Sequence, residues 1–123
     1  MQNSPPEIRL ALPSKGRLAE DALNLLTHAG LRVHKPNPRQ LIAHIPDLPG
    51  VSVLFQRAGD IVVSVRDGSV DFGITIRDNR LKTLDDGMIF ESQAWLIANQ
   101  RALKTRLEVL QTARTLIETI VAY

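Results

Sequence analysis

The 123-residue chain has no cysteine, which removes disulfides, thiolate nucleophiles and zinc–sulfur centres together. Aromatic residues make up only 4% of it, leaving few rings on which bases could stack. No apolar run approaches the roughly 18–20 residues that cross a bilayer. The opening, MQNSPPEIRL, has neither the basic start nor the apolar core of a signal peptide. An excess of one charge is missing too: 15 Lys and Arg face 13 Asp and Glu, a formal net charge of +2. That is too weak a field to argue for nucleic acid. Repeats, low-complexity tracts and Gly/Ser linkers are absent as well. What is present, 44% hydrophobic and 23% charged residues, suits one cytoplasmic globular domain over residues 1–123, with neither nucleic acid nor membrane as partner.

Along the chain, Ile8 to Leu12 form a short apolar run stopped by Pro13 and followed by Ser14, Lys15, Gly16 and Arg17. Leu18, Ala22, Leu25, Leu26 and Ala29 then share one helical stripe, and Gly30 suits the residue after the helix. Leu31 to Val33 reads as a brief strand. Leu41, Ala43 and Ile45 alternate with polar neighbours, and Val51 to Gln56 is a further strand, so the two read as a hairpin with a loop of about five residues. Residues 59–67 carry two signals. The β-branched Ile61 to Val65 before Asp67 and Gly68 argues for a hairpin, whereas the stripe Ala58, Ile61, Val62 and Val65 argues for a helix ending at Gly68. The failed alternation at Val62 and Val63 favours the helix. Val70–Ile76 and Met88–Ala98 are strand candidates, and Asn99 suits the cap of a final helix with the stripe Leu103, Leu107, Leu110, Ala113, Ile117 and Ile120. Strands interleaved with helices predict an α/β three-layer sandwich around a mostly parallel sheet with one antiparallel strand, joined by right-handed crossovers.

Three polar groups have chemical potential. The Ser14–Arg17 turn sits between a strand and a helix, where unpaired amides attract phosphate; the plainer reading is a turn capped by Ser14 with two solvated cations. No Walker or dinucleotide fingerprint accompanies it. The second group is Gly73, Thr75, Arg77 and Asp78 at a strand's carboxyl end, the edge where open α/β sheets bind ligands; ordinary surface charge is the alternative. Gln56, Arg57 and Asp60 form the third, and a local helix-terminal pair would explain them equally. His28, His34 and His44 are not at metal-ligand spacing, and Trp95 suits a core or sheet-face position.

The strings LALPSKGRL, AEDALNLLTHAGL, NPRQLIAHIPDLPGVSVLFQRAGDIVVSVRDGSVDFGITIRD and IFESQAWLIANQRAL occur in this order over nearly the whole chain. They resemble ATP phosphoribosyltransferase, which condenses ATP with phosphoribosyl pyrophosphate (PRPP), with magnesium, in the first step of histidine biosynthesis. The resemblance implies one lobe of a type II periplasmic-binding-protein-like fold, the family's active site lying between two such lobes. It also implies nucleotide or phosphate contacts from Ser14, Lys15, Gly16 and Arg17, from Arg39, Arg57 and Asp60, and from Gly73, Thr75, Arg77 and Asp78. No catalytic residue and no protein-held metal is expected.

The departures from that family are specific. Where the family leaves the first lobe through a segment like GITGRD, this chain has Ile76 in place of the glycine, and Asp78 runs directly into Asn79 and Arg80. Residues 1–78 and 79–123 thus resemble the two sequence segments of a first lobe joined without the second, and without the loop that grips PRPP or the regulatory domain of the long forms. The expectation is a trimmed or engineered lobe, inactive alone. The alternatives are an autonomous folding scaffold, a weak ATP- or phosphate-binding module, or a homo-oligomer active only as an assembly.

Overall fold

The computed structural model describes residues 7–35, 42–76 and 94–122. Among the described residues, five strands, β1 (Ile8–Pro13), β2 (Ile42–His44), β3 (Val51–Gln56), β4 (Phe72–Ile76) and β5 (Ala94–Ala98), form one sheet in the order β2-β3-β1-β4-β5. Four helices accompany them among the same residues: α1 (Gly16–His28), α2 (Ala58–Asp67), α3 (Gln100–Thr105) and α4 (Leu107–Ala122). The three central strands are parallel, with Leu10 opposite both Val53 and Phe72. Both edge strands are antiparallel, β2 to β3 and β5 to β4. This mixed α/β sheet therefore has two antiparallel strands where the sequence led us to expect one. The short turn between β2 and β3 forces a reversal, which a parallel neighbour reached through a helix avoids.

Strand alternation divides the core. Leu10 and Leu12 of β1, Val51 and Val53 of β3, and Phe72 and Ile74 of β4 face α1, α3 and α4, which contribute Ala22, Leu26, Ala102, Val109, Ala113 and Leu116. Ala11 faces the other way, toward Ile61 and Val65 of α2. The result is the expected three layers. β1 reaches β3 by way of α1 on one face, and β3 reaches β4 by way of α2 on the other. The two crossings run in opposite directions over opposite faces, as a single hand of crossover requires.

Local chemistry explains two departures from the sequence reading and one agreement with it. Leu31–Val33 is not a strand. The Leu31 amide instead donates to Leu26 O at 2.7 Å and the Gly30 amide to Thr27 O at 3.0 Å, a Schellman closure of α1 with Gly30 at φ +83°. Residues 59–67 are indeed helical, within α2, and Gly68 ends it at φ +88°. The expected final helix breaks at Arg106, whose extended backbone (φ −124°, ψ 107°) separates α3 from α4. Asn99 caps the first piece, accepting from the Ala102 amide at 2.8 Å. The break turns α4 so that Val109, Ala113 and Leu116 are buried, while Leu107, Leu110 and Ile117 of the expected stripe are exposed. Residues 88–93 of the expected last strand lie outside the described residues, as do Arg39, Arg77 and Asp78.

Arg106 is held where it is by a buried acid. Its guanidinium lies 3.0 Å from Asp71 Oδ1, the Asp71 side chain being 8% exposed, and it also donates to Glu7 O. Asp71 Oδ2 accepts from the Arg9 amide at 3.0 Å. Removing one partner of such a pair strands a charge. Arg106→Met is therefore expected to lower stability by about 3 kcal/mol, toward the low end for buried pairs because Arg106 keeps 29% of its side chain exposed. The measurement is a denaturant midpoint at unchanged slope. A loss below about 0.5 kcal/mol, the range of ordinary surface changes, would show that solvent already screens the pair.

Two carboxylates, exposed Asp67 and half-buried Glu108, serve the helix ends. The Ser69 hydroxyl and amide hold the Asp67 carboxyl below its usual range after α2, and Glu108's own amide and then the Arg106 side chain do the same at the start of α4. Their contribution to stability is present above the ordinary carboxylate range and is lost as pH falls through the lowered values. No described helix is long and apolar enough to cross a membrane.

Candidate functional site

The carboxyl ends of β1 and β3 lie side by side, and the chain leaves them toward opposite faces of the sheet, α1 to one and α2 to the other. Such a switch point opens a crevice above the strands where α/β sheets take ligands. The two loops are joined directly, the Ser14 amide donating to Gln56 O at 2.8 Å.

Two helix starts meet here. Lys15 is the N-cap residue of α1 and Arg57 that of α2, and neither cap residue's side chain accepts from the first amides of its helix. Ser14 is thus not the cap that the plainer sequence reading made it. Gly16 begins α1 at φ +78°, a conformation that disfavours any residue with a Cβ. Free amides with partial positive charge beside a lysine and an arginine form an anion-attracting edge. Asp60 stands in the first turn of α2 and balances part of that charge. Ser14, Lys15, Gly16, Arg57 and Asp60 are all exposed, and Arg17 is the second residue of α1.

Other expected ligands have structural partners instead. Thr75 is 3% exposed and its hydroxyl donates to Ala58 O at 3.0 Å, tying β4 to the start of α2. That single hydroxyl proton is then not available to a phosphate oxygen. Gly73 is buried in β4 beneath α2; a Cβ there would fall 2.4 Å from Ile61 Cγ2. Its smallness serves helix–sheet packing. Arg39, Arg77 and Asp78 lie outside the described residues.

Gln56 gains weight from the fold. Its Oε1 is buried and finds no hydrogen-bond partner among the described residues, and an unmatched acceptor at a crevice calls for a donor. In the sequence it was only one member of a polar cluster, because a strand pattern does not reveal which terminal side chain is left unpaired. Among the described residues no three His, Asp or Glu side chains converge to hold a metal.

No protein-family model matches the chain. Sequence comparison finds ATP phosphoribosyltransferase 1, chloroplastic, of Arabidopsis thaliana, 53% identical over 68 residues, covering 55% of this chain and 16% of that protein. The ATP phosphoribosyltransferase of Natronomonas pharaonis is 48% identical over 79 residues, 64% of this chain and 28% of the relative. That of Bifidobacterium longum is 45% identical over 71 residues, 58% and 24% respectively. The chain thus spans between about a sixth and just over a quarter of the length of these curated relatives. Among solved structures, a chain of an ATP phosphoribosyl transferase complex from Thermotoga maritima aligns with 66% of this chain and 37% of its own length, at TM-score 0.46 and 22% identity. Over more than half of its residues, this chain is homologous to ATP phosphoribosyltransferases.

Proposed function

We propose that the crevice above β1 and β3 binds the phosphate groups of a nucleotide, ATP foremost, and that the chain forms the nucleotide-facing lobe of an ATP phosphoribosyltransferase without turning over alone. The observation that carries the reading is the Ser14–Gln56 bond, which sets two helix starts without side-chain caps together beneath Lys15 and Arg57. The homology supplies the choice of ATP among phosphate-bearing ligands. The one-lobe part rests on the chain's internal length. Residues 77–93, between β4 and β5, are fewer than the roughly 40 below which a segment seldom folds unaided. A first lobe in the cytoplasm, able to self-associate, is the setting this reading assumes.

Magnesium, expected from the resemblance, has no protein cage among the described residues. It would enter with the substrate's phosphates, as that ion commonly does.

The test is a calorimetric titration with ATP and, separately, with inorganic tripolyphosphate. Both should bind saturably. A Cβ at Gly16 meets nothing within 4 Å, so Gly16→Val acts through backbone strain of about 1–2 kcal/mol. That strain turns the first amides of α1 away and should weaken both ligands about tenfold, the equivalent of ~1.4 kcal/mol. Equal binding by the variant would remove the α1 start from the site, and no saturable binding by the parent chain would end the proposal.

A further inference from the structure

His34 and His44, ten residues apart in sequence and without metal-ligand spacing, are brought face to face by the fold. An isolated antiparallel bridge pairs them. The His34 amide donates to His44 O at 2.6 Å, and the His44 amide to His34 O at 3.1 Å. Residues that exchange both backbone bonds stand directly opposite, with Cα atoms about 5.5 Å apart and side chains on the same face of the sheet. Both histidines are exposed. The face they share is the one carrying α2, but α2 packs over β1, β4 and β5, so no described helix covers the β2 side of it. His44 is opposite Ser52 in the next strand, and Ser52 is opposite Arg9. The Ser52 hydroxyl donates to the Glu7 carboxylate, which also pairs with Arg9. The charged members of that row are therefore engaged with each other rather than with the imidazoles.

We propose that His34 and His44 form a two-imidazole binding site for a divalent transition ion of the zinc, nickel and copper class. In a tetrahedral complex with Zn–N bonds of about 2.0–2.1 Å, two ligating nitrogens stand roughly 3.3 Å apart. Two imidazoles rooted about 5 Å apart on one face can converge to that separation by side-chain rotation alone. The backbone pairing has already met the ordering cost of bringing them together. No third His, Asp or Glu converges on the pair among the described residues, so water completes the coordination. Imidazole nitrogen selects this ion class over magnesium and calcium, which prefer oxygen. The site is independent of the nucleotide crevice, and bound metal would clip the segment around His34 to the edge strand β2.

The tag-free chain is titrated with Zn²⁺ by calorimetry and, in parallel, with substoichiometric Cu²⁺ while the histidine ring signals are followed by NMR. One saturable Zn²⁺ site per chain is expected, with Cu²⁺ broadening confined to His34 and His44 and no response to Mg²⁺. His34→Gln or His44→Gln should each weaken Zn²⁺ roughly 100-fold, because the second ligand of a chelate acts at high effective concentration. Both substitutions lie on exposed side chains and leave the backbone bridge intact, and circular dichroism checks that the variants fold. Zn²⁺ should raise the melting temperature of the parent chain and of His28→Gln, but not of the two bridge variants. Unchanged affinity in either bridge variant, no saturable Zn²⁺ binding, or Cu²⁺ broadening at His28 in place of the pair would each overturn the site.

Discussion

No phosphoribosyl-ATP is expected to form when the purified chain is given ATP, PRPP and magnesium. Transfer of a phosphoribosyl group passes through a cationic, dissociative sugar centre, so catalysis consists mainly of holding two reactants in line and neutralising the departing pyrophosphate. Holding both reactants is worth effective molarities of about 10⁵–10⁸ M, or ~7–11 kcal/mol, and holding one yields none of that advantage. The crevice offers one anion-attracting edge, built from the starts of α1 and α2. The hydroxyl of Thr75, a further expected contact, donates to Ala58 O. Under the proposed one-lobe reading, the sugar and its pyrophosphate have no opposing wall, and the rate should stay at its solution value, at least five orders of magnitude below a competent two-substrate site. Product absorbance and pyrophosphate release measure this, with light scattering to fix the number of chains in the active sample. Turnover by a monomer would show that these residues hold both substrates; turnover only by an assembly would show that a second copy supplies the missing wall.

Gly73→Ala is the second large effect, this time on stability. The new Cβ would lie 2.4 Å from Ile61 Cγ2 and 3.1 Å from Val65 Cγ2, both on α2. Neither is a flexible chain end that can step aside, since β-branched side chains in a helix have one favoured rotamer. The helix must lift from the sheet, and overpacking of this sort costs about 1–3 kcal/mol. We expect about 3 kcal/mol, a large part of the 5–15 kcal/mol that keeps a domain folded. Lifting α2 also displaces its N-cap residue Arg57, so ATP affinity should fall with stability. Ile61→Ala alone should cost about 2–5 kcal/mol by opening a cavity. Combined with Gly73→Ala it should cost less than the sum by about 1 kcal/mol or more, because each change relieves the other. Additive losses, or a neutral Gly73→Ala, would mean that α2 does not rest on this glycine.

Local signals gave much of this fold away. Gly30 and Gly68 marked the ends of α1 and α2 because only a residue without a Cβ readily takes the left-handed backbone found at both. The failed alternation at Val62 and Val63 separated helix from hairpin. What stayed hidden depended on partners distant in sequence. The break at Arg106 follows from its pairing with Asp71, 35 residues away, and no periodicity within residues 100–122 encodes it. With that break went the face of α4: a stripe through Leu103, Leu107 and Leu110 is sound for an unbroken helix and wrong for two.

The candidate site divides in the same way. The Ser14–Arg17 turn was legible because strand, glycine and helix are contiguous there. Gly73 and Thr75 carried residue types that suit a ligand, and only the packing of α2 and the Ala58 carbonyl reveal that both have structural work. The pairing of His34 with His44 depends on a strand bridge that their spacing does not announce. In each case the sequence names the chemistry available, and the tertiary neighbours decide how it is used.

Backbone amide NMR of the ¹⁵N-labelled chain, titrated with ATP, probes the nucleotide crevice itself. Nucleotide binding at this crevice predicts saturable shifts concentrated at Ser14, Lys15, Gly16 and Gln56 through Asp60, with the Gln56 side-chain amide among them. Shifts confined to the groove formed by Arg66, Asp67 and Gln100 at the other end of α2, or a spectrum that ATP leaves unchanged, would contradict it.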